Sequence, residues 1–206
     1  MSDLTIGGVD VSRETFEALR TFESLVRRWN SAINLVSKAS LSALWSRHIA
    51  DSAQIFALCP EAAKTWVDLG SGGGFPALVV AVIAKELKPD LKLTLVESDL
   101  RKATFLRQAA TNLAIEVKVV RERLESVQPF CADVISARAL APLTDLLFFA
   151  RMHLARNGSA IFPKGARYRE EIAEAKAKWH FDVDIQPSLS EGEAAILVIR
   201  NINSAA

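Results

Sequence analysis

The 206-residue sequence predicts an α/β protein: a mostly parallel sheet of seven strands, ended by an antiparallel hairpin and preceded by a helical cap. Three observations carry this. From Thr65 onward, short strand-like runs alternate with helical stretches, which implies βαβ units and a parallel sheet covered on both faces. A loop with four glycines in five residues, Gly70 to Gly74, follows the first of those runs. Near the end of the chain, two strand-like runs follow one another with no helix between them.

Ser12 to Asn30 has helical spacing, with Phe16, Leu19, Val26 and Trp29 on one stripe. Ser12 suits the N-cap, Glu14 the first turn and Arg27-Arg28 the last. A polar connection, "NSAINLVSKAS", leads to a second helix expected from Ser40 to about Leu58. Its inward residues are Leu41, Leu44, Trp45, Ile49 and Phe56. Strands are expected at "TWVDL", "LKLTLVE", "IEVKVV", "ADVISA" and "SAIFPK", with helices between them at Pro76–Leu87, Leu100–Leu113 and Pro142–Leu154. The Phe75–Ala84 run is β-branched enough to suggest a strand. Pro76, just after a glycine turn, suits a first helical position and decides for a helix. A helix near Arg167–Trp179 then precedes "HFDVDIQ" and "AAILVIR", which "PSLSEGE" joins as an antiparallel pair. Residues 1–64 are thus read as a helical cap and 65–206 as the core, together one domain.

Composition narrows the function classes. Half the residues are hydrophobic and 24% are charged, as in ordinary globular proteins. "MSDLTIGGVD" has neither a basic nor an apolar signal region, and no apolar run is long enough to cross a bilayer. Cys59 and Cys131 show no metal spacing and no CxxC pairing, so a cytoplasmic protein without bound metal is expected. A net charge of +1 announces no polycation. Its distribution is uneven. Arg20, Arg27, Arg28, Lys38 and Arg47 face Glu23 alone, and seven basic residues between Arg151 and His180 face three acidic ones. These surpluses are either solvated helix faces or an anion-binding surface.

The glycine loop lies where an open α/β sheet binds its ligand, between the carboxyl end of a strand and the next helix. No Gly-Lys-Ser/Thr follows, which excludes a Walker phosphate loop. Gly72, Gly74 and Ala77 satisfy the weak dinucleotide pattern, with Glu97 ending the second strand. Asp68 tilts the choice. It gives D-x-G-x-G-x-G across Asp68, Gly70, Gly72 and Gly74; its carboxylate would repel a pyrophosphate and suits the ammonium group of S-adenosyl-L-methionine. In either reading Glu97 accepts hydrogen bonds from ribose hydroxyls. The pattern resembles the Rossmann-like class I methyltransferases, whose seven-stranded sheet also ends in an antiparallel hairpin.

A narrower resemblance lies in "NSAINLVS", "RHIADS", "VDLGSGGGFPALVVAV", "LVESDLRKATFL", "RERLE", "DVISARALAPL" and "FPKG", in that order from Trp29 to Gly165. As an ordered set these resemble the bacterial 16S rRNA guanine-N7 methyltransferases, once called glucose-inhibited division protein B. The family commonly has Gly where this chain has Ala77. Its Ser-Arg-Ala becomes Ser136-Ala137-Arg138-Ala139, and its paired lysines become Arg101-Lys102.

The resemblance implies methylation of guanine N7 in 16S rRNA of the small ribosomal subunit, with S-adenosyl-L-methionine as cofactor. It places Gly70, Phe75, Leu124, Glu125 and Arg138 at cofactor-contact positions, with Leu124-Glu125 flanking the adenine. Asn34, Arg47 and His48 are expected to line the cleft between the cap and the sheet, with Lys164 meeting the RNA backbone. Arg47–Asp51 and His48–Ser52, each four apart on a helix, read equally as a local ion pair beside a partly buried histidine. Guanine N7 has an in-plane lone pair and no proton, so no catalytic base is expected. The other readings are a protein or small-molecule acceptor, a nicotinamide-dependent oxidoreductase, or a non-catalytic RNA-binding module.

Overall fold

The computed structural model describes residues 4–205. The chain opens with a short antiparallel hairpin, β1 (Leu4–Ile6) and β2 (Val9–Val11), that the sequence reading did not anticipate. Gly7 and Gly8 turn it with positive φ. A Cβ on Gly7 would collide with the Ala50 carbonyl, because the turn seats directly on the cap.

Helix α1 (Arg13–Asn30) begins as expected at Ser12, whose hydroxyl accepts the Thr15 amide at 3.2 Å. The same hydroxyl donates to Glu86 at 2.9 Å, tying the start of α1 to the core. Leu19, Phe22 and Val26 are fully buried on its inner stripe.

The single helix expected over 40–58 is broken in three: α2 (Lys38–Leu41), a π-helical stretch (Trp45–Ala50) and α3 (Asp51–Ala57). The Ser37 hydroxyl caps α2 by accepting the Ser40 amide. Leu44 and Ile49 are both fully buried, and the wider π winding between them places Arg47 and His48 at the cavity described below.

The core elements follow as β3 (Thr65–Leu69), α4 (Ala77–Leu87), β4 (Lys92–Val96), α5 (Leu100–Asn112), β5 (Val117–Val120), a 3-10 turn (Leu124–Ser126), β6 (Ala132–Ala137), α6 (Leu143–His153), β7 (Leu154–Lys164), α7 (Tyr168–Lys176), β8 (Trp179–Pro187) and β9 (Ala195–Ser204). The sheet order is β5-β4-β3-β6-β7-β9-β8. Strands β3 to β7 pair in parallel, and β9 runs antiparallel to both β7 and β8, as the sequence predicts.

Boundaries differ in places. Pro76 caps α4 rather than opening it, β7 starts at Leu154 directly from α6, and Trp179 belongs to β8 instead of the preceding helix. Trp179 donates its indole N–H to the Thr144 carbonyl at 3.1 Å, a tertiary contact that helical spacing does not reveal.

One sheet face packs on α1, α4 and α5 around Trp66, Leu78 and Phe105; the other packs on α6 and α7 around Leu147 and Phe162. Ala77 to Ala84 are all buried, which explains why α4 reads as a continuous apolar run. The chain leaves β3 toward β4 on one side, while β6 lies on the other, so the strand order reverses at β3. Ligands of such sheets bind in the crevice at the carboxyl ends of the strands flanking that point.

Candidate cofactor and RNA site

A cavity of ≈ 770 Å³ occupies that crevice. Gly70 and Gly72 form its floor in left-handed conformations, φ +67° and +52°. A Cβ on Gly70 would sit 2.6 Å from Leu140, which covers it. Gly74 is also left-handed but faces inward, against Leu78 and Phe22, and is a packing glycine outside the lining.

Glu97, at the carboxyl end of β4, is 8% exposed. Its Oε2 accepts the Gly72 amide at 2.9 Å and its Oε1 accepts the Asp99 amide at 2.8 Å. Each oxygen keeps a further acceptor site, so the carboxylate is pre-oriented for two more donors. A ribose diol presents such a pair.

Asp68 stands elsewhere than expected. It is 1% exposed and lies beneath the loop, outside the cavity lining. Ser136 donates to its Oδ1 at 2.6 Å, while Oδ2 is buried without a partner. Burial pushes the carboxyl up to about 7; the hydroxyls of Ser136 and Ser71 oppose this, and the Glu97 charge adds to it.

The cap supplies the opposite wall. The His48 ring packs on Phe75 with centroids 4.9 Å apart, and both its nitrogens are buried without partners. Burial lowers it to about 3, with Arg138 and Arg47 adding to the effect, so it is neutral near pH 7. Leu35 and Val36 also line the cavity, held because Asn30 Oδ1 accepts their amides at 2.8 and 2.9 Å. The sequence reading missed both; an Asn at a helix end, poised to cap the next turn, was the available signal.

Arg138 donates through Nη2 to the Arg47 carbonyl at 2.7 Å and lies 3.7 Å from Asp51. Its Nη1 is buried without a partner at the cavity wall. Leu124 and Glu125, on the 3-10 turn, line the far side. Ala139 holds φ +50°, a conformation that is costly for a residue with a Cβ, and it aims Leu140 over Gly70.

The RNA-side residues divide. Arg47 and His48 line the cavity, whereas Asn34 is exposed and lines neither it nor its neighbour. Arg47 is exposed and ion-paired with Glu191. Lys164 lines a second cavity of ≈ 580 Å³ that shares Arg138 to Ala141 with the first. Its ammonium is nearly buried and already donates to Glu171 at 2.7 Å and the Ala141 carbonyl at 3.1 Å.

The donor set fits S-adenosylmethionine: bare backbone at Gly70 and Gly72, a fixed carboxylate for a diol, apolar walls, and a buried carboxylate beneath the loop to balance a cation. Among the described residues no cluster of His, Cys, Asp and Glu could hold a metal ion, and no helix is long and apolar enough to cross a membrane.

Known proteins give a consistent answer. The fold is similar to a SAM-dependent methyltransferase from Aquifex aeolicus, with TM-score 0.58, 10% identity, and coverage of 86% of this chain and 96% of that one. It is also similar to a ribosomal protein L11 methylase from Lactobacillus delbrueckii subsp. bulgaricus, with TM-score 0.59, 20% identity, and coverage of 75% and 79%. In sequence, the ribosomal RNA small subunit methyltransferase G of Ruegeria pomeroyi is 50% identical over 94% of this chain and 95% of its own. That of Cereibacter sphaeroides (strain ATCC 17025) is 51% identical over 93% and 92%. The model of the rRNA small subunit methyltransferase G family matches residues 15–200, and the chain belongs to that family.

Proposed function

We propose that the protein acts as one domain that transfers a methyl group from S-adenosylmethionine to N7 of a guanine in 16S rRNA of the small ribosomal subunit. The observation that carries this reading is Glu97: a carboxylate fixed by the Gly72 and Asp99 amides, at the rim of a cavity floored by left-handed glycines. That arrangement suits an adenosyl ribose, and the family to which the chain belongs is named for methylation of small-subunit rRNA.

S-adenosylmethionine, when bound, supplies an electrophilic methyl on a cationic sulfur. This chain's residues bind and align. Glu97 takes the ribose hydroxyls, Leu124 and Glu125 flank the adenine, and Phe75, Leu35 and Val36 exclude water. His48, held neutral and packed on Phe75, shapes the wall and carries no proton in the reaction. N7 needs no deprotonation, so the rate comes from placing nitrogen, methyl carbon and sulfur in line. An arginine bound to both O6 and N7 of guanine would block that nucleophile. Arg138 therefore serves the cofactor, a phosphate or O6 alone. Radiolabelled methyl transfer to small subunits tests this, with label expected in the RNA and none in subunit proteins.

A further inference from the structure

The second cavity meets the first across the loop after β6, where Arg138 to Ala141 line both. Asp51, the first residue of α3, lines the second alone. Its Oδ1 accepts the hydroxyls of Ser190 and, at 3.4 Å, Ser188, both in the loop joining β8 to β9. Among the described residues its Oδ2 accepts no hydrogen bond. It faces Arg138 Nη2 at 3.7 Å, too far for a hydrogen bond. Arg138 is held in place by the Arg47 carbonyl, to which the same nitrogen donates at 2.7 Å. Two opposite charges are thus pinned side by side and kept from closing on one another. Both side chains are largely buried, at 16% and 21% exposed. Such a pair, left short of its own hydrogen bond, opposes folding. What it offers instead is a free acceptor beside a free N–H donor.

A donor next to an acceptor matches O6 and N1–H of guanine. Adenine carries an amine and a lone pair at those two places and mismatches both. Resting on the reading that the first cavity holds the cofactor and guanine N7 receives the methyl, we propose that Asp51 is the specificity-determining residue for the base. The second cavity takes the extruded guanine, whose N1–H donates to Asp51 Oδ2 while Arg138 donates to O6. The order of atoms fits the order of places. Around the base, N7, O6 and N1 follow one another; across the loop come the cofactor cavity, Arg138 in both cavities, and Asp51 in the second. Enzymes that act on a base lift it from the stack and read its Watson–Crick edge in this way. Leu140, Pro142, Pro163 and Ile196 supply an apolar lining for its faces. Methyl transfer breaks the sulfur–carbon bond, forms the nitrogen–carbon bond and moves the positive charge from sulfur to the purine, with no proton lost. A carboxylate at N1–H attracts that cation more than the neutral base, so the contact strengthens in the transition state and acts on the rate.

The test is radiolabelled methyl transfer, in single turnover at saturating cofactor, to small subunits reconstituted with 16S rRNA altered only at the base that wild type methylates. Inosine keeps O6, N1–H and N7, and should react within about tenfold of guanosine. 2-Aminopurine keeps N7 and the 2-amino group but loses O6 and N1–H, and should react at least about 100-fold more slowly. Asp51→Asn keeps an oxygen for the serines and removes the acceptor at Oδ2. It should bind S-adenosylmethionine as wild type does, slow the reaction of guanosine roughly 10- to 100-fold, and narrow the gap to 2-aminopurine at least about tenfold. A merely structural role would slow both bases equally, and that result overturns the proposal. So does wild type that accepts 2-aminopurine as readily as guanosine, or rejects inosine as strongly as 2-aminopurine, measurements that decide the matter even if Asp51→Asn fails to fold. If guanosine itself gains no methyl at N7, the reading of the function fails and this inference with it; if guanosine reacts but the bases are not distinguished as stated, only the role of Asp51 fails.

Discussion

The Arg138 guanidinium, in the loop after β6, donates to the Arg47 backbone carbonyl in the π-helical stretch at 2.7 Å. This bond joins the cap to the carboxyl edge of the sheet across the mouth of the cavity. Removing a charged donor from a largely buried site costs about 1.5–3 kcal/mol. Arg138→Ala should therefore lower stability by about that amount in urea unfolding, with Arg138→Lys in between. The free Nη1 faces the cavity wall, so cofactor affinity should fall as well.

Glu97→Ala should weaken S-adenosylmethionine binding by about 1.5–3 kcal/mol, or roughly 10- to 150-fold, while the protein stays folded. Calorimetric titration reads this directly. Glu97→Gln, which keeps one acceptor for the Gly72 amide, should lie between the two. Unchanged affinity in a folded Glu97→Ala variant would end its assignment to the ribose.

The pH dependence of stability should carry two opposed contributions. His48 is lowered in the folded protein to about 3, so the unfolded chain binds its proton first as pH falls through about 6.5. Its contribution to stability is lost from there downward. Asp68 is raised to about 7, so between about 4 and 7 the folded protein holds the extra proton and gains stability as pH falls. Relative to wild type, His48→Phe should retain more stability toward pH 4, and Asp68→Asn should lose the gain from Asp68. Denaturant melts at pH 5 and 7.5 distinguish the two signs.

RNA affinity should fall steeply with salt, and Arg47→Ala should reduce the slope of log affinity against log salt by about one. Lys164 is nearly buried against Glu171, and Glu171 also accepts the Leu143 amide at the start of α6 at 2.9 Å. Lys164→Ala should therefore leave the salt slope nearly unchanged and lower the melting temperature. A slope reduced equally by both substitutions would place Lys164 on the RNA backbone after all.

Much of this was legible in the sequence because the signals are local. The strand–loop–helix at Thr65 to Leu87 follows from glycines that permit positive φ and an apolar run that only a doubly covered helix tolerates. Glu97 was legible for the same reason, as a carboxylate ending the second core strand. The three-residue strands of the N-terminal hairpin are too short to show a period. The break in the cap helix depends on Leu44 and Ile49 both finding the core, and the placement of Leu35 and Val36 depends on Asn30 reaching forward. The depth of Asp68 is likewise tertiary: Ser136, whose hydroxyl donates to its carboxylate, is 68 residues away along the chain.

Single-turnover rates at saturating cofactor should show no step from an essential base between about pH 6 and 9, since N7 has no proton to remove and His48 stays neutral throughout. His48→Ala should retain turnover, with any loss following cofactor affinity. Abolished turnover with binding intact would make His48 a participant in the chemistry.

The most direct test of the whole account is the position of the methyl group itself. Small subunits from cells lacking the modification, incubated with the protein and S-adenosylmethionine, should become susceptible to borohydride and aniline scission at one guanosine of 16S rRNA, as N7-methylguanosine requires. Methyl recovered on an exocyclic amine, on a ring carbon or on a subunit protein would contradict it.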